Sequence, residues 1–246
     1  MAKRAYSAAV NDGAASSADD DATSRTLIER AYIQLRDDII EGRLPPGEKL
    51  RVEHFKARYD VGAGTLREAI TRLVSDALVE AEGQRGFRVA AIALRDLVDI
   101  TDLRLHIELE ALRQSIRHGD AAWREALRQA YDDMSPFEQP VRAENRKRWE
   151  QLNTRFHESL IAAHANPWAL KVLRQLSRHS ERYRRYAIGL PHSARNVHDE
   201  HRQIFEAAMN GQEARAALAL EVHIRATVDR LIQAQRDGLT LFGEEA

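Results

Sequence analysis

Residues 53–89 constrain the fold more than any other part of the chain, because the residue pattern changes three times over this short distance. The small residues at 61–64 (Val-Gly-Ala-Gly) interrupt a helical pattern and allow a sharp turn. Thr65 predicts the start of a second helix, with Glu68 completing a capping box. Residues three and four apart then form one apolar face of this helix. They are Leu66, Ala69, Ile70, Leu73, Val74 and Ala77.

A β-hairpin is predicted directly after this helix. Residues 78–81 and 87–89 form two short apolar runs, and Gly83 and Gly86 lie at the two ends of the turn between them. Helix, turn, helix and basic-tipped hairpin is the plan of a winged helix-turn-helix. Such a unit places its second helix in the major groove of DNA.

The candidate DNA contacts lie on the polar side of the second helix, at the start of the first and at the hairpin tip. Arg67 is the strongest candidate for a base or phosphate contact, and Thr65 and Arg51 support it. Arg72 lies on the same polar side of the helix as Arg67. The hairpin tip could reach the minor groove or the backbone with Gln84, Arg85 and Gly86. Phosphate contacts would make the affinity for DNA fall steeply with salt.

The chain before this unit is predicted to be a tail and one further helix. Residues 1–24 are rich in Ala, Ser, Asp and Gly, which predicts a disordered tail. Residues 26–41 repeat apolar side chains at helical spacing, and Gly42 suits the end of that helix. Pro45, Pro46 and Gly47 then force an irregular connection. We therefore place the DNA-binding unit at residues 25–92.

Residues 93–238 are predicted to form a second, all-helical domain, with a short tail at 239–246. Helices are expected at 94–117, 121–134, 141–164, 167–188, 193–209 and 212–236. Asp120 and Asn166 are predicted N-caps, and Pro167 suits a first helical position. Helices of this length with short connections predict an antiparallel bundle of six to seven helices. The fold class is therefore mainly α.

The composition limits the classes of function. The chain has no cysteine, which excludes disulfides and thiolate metal sites, and no apolar run approaches the ~20 residues of a membrane span. No signal peptide is recognised, so a cytoplasmic location is expected. The net charge is −1, and residues 25–92 hold 12 Lys and Arg against 11 Asp and Glu. DNA binding must therefore depend on where charges are placed.

Three histidines on three predicted helices form a candidate metal site. Asn153 and His157 are four residues apart and share one helix face, while His201 and His223 lie on the last two helices. Three imidazoles that converge inside a bundle can bind Zn²⁺ or Ni²⁺ and leave positions open for a ligand. The alternative is that they are ordinary core residues, since the chain has 10 histidines.

The segment KARYDVGAGTLREAITRLVSDALVE, followed by RGFRV, resembles the GntR family of bacterial transcription regulators. The preceding EGRLPPGEKL is also typical of that family. A helical domain after the wing is similar to the FadR-type branch, whose C-terminal FCD domain senses a ligand and dimerises. The resemblance covers about residues 25–236. Many relatives carry Ser or Arg where this chain has Ala63 and Gly64, so contacts in this turn are expected from backbone N–H groups.

The resemblance also implies a metal and an effector. In FadR-type sensory domains an Asp, a Phe-His, a Glu-His and a His in the last helix bind metal, and His157, His201 and His223 match that pattern. Asn153 stands where the Asp is common and brings no charge, so a carboxylate effector could supply the missing charge. Arg104 is the expected effector contact, since arginine binds carboxylates through two hydrogen bonds. The alternative for Arg104 is a helix-to-helix ion pair with an acid.

These features favour a ligand-responsive regulator that binds a pseudo-palindromic operator as a homodimer, with repression relieved by a small carboxylate. A second hypothesis is a DNA-binding protein with a structural metal or none, and no effector. A third is a metal-dependent hydrolase or lyase that uses the three histidines. The chain lacks a His-Glu-x-x-His motif, a Cys nucleophile and a Gly-rich phosphate loop, all of which speaks against an enzyme.

Overall fold

Two units divide the chain between Ala91 and Ile92. The computed structural model describes residues 13–139, 141–190 and 195–239. Within these residues, no helix is long and apolar enough to cross a membrane.

The first unit combines three helices with a small sheet. Its elements are α1 (Gly13–Ile40), β1 (Lys49–Leu50), α2 (Val52–Tyr59), α3 (Ala63–Ser75), β2 (Val79–Ala81) and β3 (Phe87–Val89). The predicted hairpin is confirmed, because β2 and β3 pair antiparallel with Glu80 opposite Arg88. Strand β1 was not predicted. It pairs with the other edge of β3 because the turn at Pro45–Gly47 directs Lys49 alongside Arg88, and Arg88 Nη1 donates to the Gly47 carbonyl at 2.6 Å.

Helix α1 begins at Gly13, well before the predicted start at Thr26. Residues 1–12 of the predicted disordered tail lie outside the described residues, but residues 13–24 are helical. Four alanines between Gly13 and Thr26 explain the difference, because alanine has the highest helix propensity and a helix already nucleated at 26–40 extends readily. They are Ala14, Ala15, Ala18 and Ala22.

The turn between α2 and α3 differs from the predicted capping box. Asp60 adopts a left-handed conformation (φ 51°), and extended Gly62 is the N-cap of α3, without a side-chain capping bond. Thr65 therefore lies inside the first turn of the helix instead of capping it. The chain has completed its turn by Gly62, so the helix begins two residues earlier than Thr65 and Glu68 suggested.

The apolar face predicted for α3 forms the core of the first unit. Leu66, Ala69, Ile70 and Leu73 are buried and pack with α1, α2 and the sheet. Val74 is half-buried, and Ala77 lies past the helix with φ 53°. This packing leaves the opposite face of α3 exposed.

The second unit is the predicted helical bundle. The structure confirms six helices among its described residues: α4 (Leu94–His118), α5 (Ala121–Met134), α6 (Arg146–Leu160), α7 (Pro167–Gly189), α8 (Val197–Met209) and α9 (Glu213–Arg236). Helix α9 packs against both α4 and α8, α4 also packs against α7, and α5 packs against α6. The predicted caps are confirmed: Asp120 accepts a bond from the Trp123 amide, and Asn166 accepts bonds from the Trp168 and Ala169 amides.

Helix α6 is shorter than predicted at both ends. A 3₁₀ turn, Ala143–Asn145, precedes it. After Leu160 the chain tightens, because the amides of Ile161, Ala162 and His164 each bond three residues back. The predicted start of α8 at 193 lies partly outside the described residues, since the description resumes at 195.

Candidate metal centre and DNA-binding surface

The structure brings together the three candidate histidines from three helices. His157 on α6, His201 on α8 and His223 on α9 are buried, and one ring nitrogen from each lies within 4.8 Å of the others. The ring centroids of His201 and His223 are 4.4 Å apart. Two interleaved spacings cause this convergence, because each histidine takes a core-facing position on a helix that also buries leucine or phenylalanine.

Each histidine has its own carboxylate partner on Nδ1. Glu108 on α4 contacts His157 at 3.2 Å, Glu138 after α5 contacts His201 at 2.7 Å, and Glu200 on α8 contacts His223 at 2.8 Å. The sequence reasoning missed Glu138, and it did not connect Glu108 or Glu200 with a ring nitrogen. Sequence proximity gave a weak signal only for Glu200, which precedes His201.

These carboxylates set the direction of the free nitrogens. A carboxylate only accepts, so each Nδ1 donates and each Nε2 keeps its lone pair. The Nε2 atoms of His201 and His223 are 3.2 Å apart. Two lone pairs at that distance need a proton or a cation between them. Two nitrogen ligands of a tetrahedral zinc ion, about 2.0–2.1 Å from the metal, lie roughly 3.4 Å apart.

The electrostatics of the site keep the imidazoles neutral. Burial lowers the pKa of His157 to about 4 despite the opposing effect of Glu108. Burial and the neighbouring His201 hold the pKa of His223 well below its usual value. Only a neutral imidazole can bind a metal. The residues therefore fit a divalent cation in both donor type and protonation state.

Arg104 lies beside this site, paired with Glu108. Its Nε is 2.6 Å from Glu108, and both residues are buried. The acid lies one turn along the same helix, so the predicted helix-to-helix pair is not what forms. Burial opposes the charge of Glu108, but Arg104 and His157 lower the pKa of Glu108 to about 2. Arg104 thus also holds the charge of the carboxylate that orients His157.

Two small cavities adjoin the histidines. One of about 20 Å³ is lined by Arg104, His157 and others, and one of about 50 Å³ is lined by Trp149, Arg195, Arg230 and others. Both share the same dividing residues, which are Asn153, Arg184, His223 and Thr227. Asn153 is 4% exposed. Arg184 was expected on a solvated or interface face, but it lines both cavities and pairs with Glu150 at 3.0 Å.

The candidate DNA contacts divide into exposed and engaged side chains. Arg51, Arg67 and Arg85 are exposed, and Thr65 is half-buried in the first turn of α3. Arg72 instead pairs with Glu29 at 2.6 Å and lies 4.2 Å from the Tyr32 ring, both on α1. The left-handed Gly86 (φ 96°) ends the hairpin turn, and the side chain of Gln84 lies outside what the structure describes.

Both units match known family models. Residues 27–89 match bacterial regulatory proteins of the gntR family, and residues 99–226 match the FCD domain. The chain is 40% identical over 212 residues to the uncharacterized HTH-type transcriptional regulator BphR of Paraburkholderia xenovorans LB400, covering 84% of this chain and 86% of BphR. It is 29% identical to the HTH-type transcriptional repressor GlaR of Escherichia coli K12, covering 82% of this chain and 94% of GlaR.

Solved structures share the fold. Escherichia coli McbR/YncC aligns with a TM-score of 0.69 at 18% identity, covering 85% of this chain and 98% of that one. A GntR-type regulator from Rhodococcus sp. RHA1 aligns with a TM-score of 0.67 at 21% identity, covering 84% and 98%. At these identities the likeness shows the fold alone.

Proposed function

The chain belongs to the gntR family of bacterial regulatory proteins and is a DNA-binding transcriptional regulator, not an enzyme; we propose that it is a repressor controlled by a small carboxylate that binds beside a histidine-bound divalent metal ion. The observation that carries this proposal is the set of three buried histidines, each held on Nδ1 by a carboxylate. Such a regulator would act in the bacterial cytoplasm, where its operator is.

His157, His201 and His223 would hold Zn²⁺ or Ni²⁺ through Nε2, and Asn153 could contribute its amide oxygen. A bound divalent cation would supply positive charge and open positions for a carboxylate oxygen. Glu108, Glu138 and Glu200 orient the three rings, as outer carboxylates do in metal sites. Arg104 would bind the same effector carboxylate from the other side of the smaller cavity. Its pairing with Glu108 fixes the guanidinium in place before the ligand arrives.

For DNA, Arg67 is the proposed base or phosphate contact, with Thr65 and Arg51 beside it and Gln84, Arg85 and Gly86 at the wing. The exposure of Arg67 supports this role. Arg72 remains a proposed contact, but its pairing with Glu29 and its position over Tyr32 favour Arg67 as the principal one. Gly62 and Gly64 leave the start of α3 open, since a Cβ added at either would meet nothing within 4 Å. DNA phosphates could therefore approach the backbone N–H groups there.

We also propose that the protein is a homodimer, which a pseudo-palindromic operator requires. Leu103 on α4 and Leu218 and Val222 on α9 are 50%, 63% and 57% exposed. Ion pairs between Arg117 and Glu213 and between Asp102 and Arg225 run α4 and α9 antiparallel. The three apolar side chains therefore belong to neighbouring helices, and we call them the α4–α9 patch. Clustered exposed apolar residues of this kind favour protein contact.

One experiment tests the metal and the effector together. Elemental analysis of the purified protein is followed by thermal unfolding with a chelator and with a panel of small carboxylates, and by binding to an operator selected from random DNA. We expect about one metal per chain, its loss in His157→Ala, and release of DNA by one class of acid. His106→Ala is the control, because His106 is exposed on α4.

The alternative hypotheses predict different results. Metal that stabilises the fold, with no carboxylate changing either unfolding or DNA binding, would leave a regulator with a structural metal and no effector. Absence of metal together with unchanged unfolding in His157→Ala would make the three histidines core residues. Metal affinity that is the same with and without the acid would reject the idea that the effector supplies the charge missing at Asn153.

A further inference from the structure

The larger of the two cavities has an unusual distribution of charge. Arg184, Arg195 and Arg230 all line it, and none of the described residues in its wall is acidic. The remaining wall is apolar or neutral, with Trp149, Ala187 and Val197 opposite Thr227 and Asn153. We call this volume the arginine compartment. Its wall offers hydrogen-bond donors from three guanidinium groups to whatever occupies it.

Contacts on the outer side of the wall hold these guanidinium groups in place. Glu200 accepts from Arg195 Nη2 at 2.7 Å, and Thr227 Oγ1 lies 3.0 Å from Arg195 Nη1. Glu150 holds Arg184 at 3.0 Å, and Arg230 Nη2 donates to the Leu190 carbonyl at 2.7 Å. Burial lowers the pKa of Arg230, and the charge of Arg195 lowers it further. An anion in the compartment would relieve this repulsion, which a neutral ligand cannot do.

The arginine compartment adjoins the histidines directly. His223 and Asn153 form part of its wall and part of the wall of the smaller cavity beside Arg104. Glu200 Oε2 is shared as well, because it also accepts from His223 Nδ1 at 2.8 Å. A single short molecule could therefore extend from the histidines past Asn153 to the three arginines.

From this arrangement we infer that the effector is a compact acid with two anionic groups, one bound at the histidines and Arg104 and the second in the arginine compartment. The inference rests on the proposed function and narrows its ligand class. The two volumes, about 20 and 50 Å³, suit a short chain between the two groups. Arg230 lines only the arginine compartment, and Arg104 lines only the smaller cavity, so the two ends can be tested separately.

The test compares diacids with monoacids of the same chain length by calorimetric titration of the metal-loaded full-length protein. The probe pairs are malonate with propionate, succinate with butyrate, and glutarate with pentanoate. We expect at least one diacid to bind tenfold or more tightly than its monoacid. Arg230→Gln should remove most of this difference and leave the monoacid affinity within threefold. Arg104→Gln should weaken both members of the pair.

Two further variants guard against a general loss of structure. Arg230→Lys keeps a positive charge and should retain part of the preference for the diacid, whereas Arg236→Gln, an exposed position at the end of the same helix, should change nothing. Equal binding of monoacids and diacids to the wild type would overturn the inference and leave the proposed carboxylate sensor standing. So would an equal loss of both in Arg230→Gln. Binding of neither class would reject the inference and the proposed effector together.

Discussion

At the scale of single residues, Glu138 shows how a side chain outside the metal-binding set can control it. Its carboxylate is fully buried and accepts bonds from His201 Nδ1 at 2.7 Å and from Trp149 Nε1 at 2.9 Å. It therefore fixes the His201 ring while its charge favours a cation nearby. Outer carboxylates of this kind are worth about 10–100-fold in metal affinity.

We expect Glu138→Gln to weaken zinc binding by about 10–100-fold, because the amide keeps the size of the side chain but loses its charge. Competition with a chromophoric chelator measures the affinity. Glu206→Gln is the matched control, since Glu206 lies on α8 and pairs with Arg202 at the surface. Equal zinc affinity in Glu138→Gln and the wild type would show that the carboxylate only completes a hydrogen bond in the core.

Arg67 and Arg72 provide a second residue-scale comparison, because both lie on α3 and differ in their surroundings. Arg67→Ala should weaken specific operator binding by about 1–3 kcal/mol if it reads a base, with less effect on random DNA. Arg72→Ala should change DNA affinity less and lower stability more, since it removes the ion pair with Glu29 and the contact with Tyr32. Fluorescence anisotropy at several salt concentrations measures both affinities. A larger loss in Arg72→Ala would reverse the assignment.

At the scale of secondary-structure elements, the connection between α4 and α5 depends on a missing side chain. A Cβ at Gly119 would overlap the Trp123 ring and the Ser115 carbonyl oxygen. Trp123 is itself held by the Asp120 cap at its amide and by the Ser159 carbonyl at Nε1. The ring cannot move without losing these bonds, so the close approach fixes how α5 leaves α4.

Gly119→Ala is therefore expected to destabilise the second unit by about 1–3 kcal/mol, the usual cost of overpacking. Tryptophan fluorescence can follow its unfolding, because all 3 tryptophans lie in the second unit. Gly64→Ala is the control: it lies in α3 of the first unit, and its added Cβ meets nothing within 4 Å. Its fluorescence-detected transition should match the wild type. An unchanged transition in Gly119→Ala would mean that Trp123 repacks freely.

At the scale of the whole molecule, the proposed dimer gives the clearest prediction. Leu218→Glu combined with Val222→Glu should convert a dimer into a 27.9 kDa monomer, because it places like charges on the α4–α9 patch of both copies. Light scattering after size-exclusion chromatography measures the mass. Trp168→Glu is the control, since Trp168 is 69% exposed at the start of α7. Dissociation by Trp168→Glu alone would place the interface on α7.

Local sequence pattern determined most of the secondary structure and half of the candidate site. The apolar spacing of α3, the caps at Asp120 and Asn166 and the position of His157 one turn after Asn153 are all properties of neighbouring residues, so they could be predicted from the chain alone. The start of α3 could not, because Thr65 signalled a cap whereas the turn had already ended at Gly62.

Only the tertiary structure decided which charged side chains meet. Glu138 and His201 are 63 residues apart, and Glu108 and His157 are 49 apart. Nothing in either local sequence marks these pairs, since an acid on a helix is equally suited to solvent. The same holds for Arg184, Arg195 and Arg230, which converge on one cavity from α7, the residues before α8, and α9. Helix periodicity fixes the face on which a side chain lies, but the packing of helices against one another determines what that face contacts.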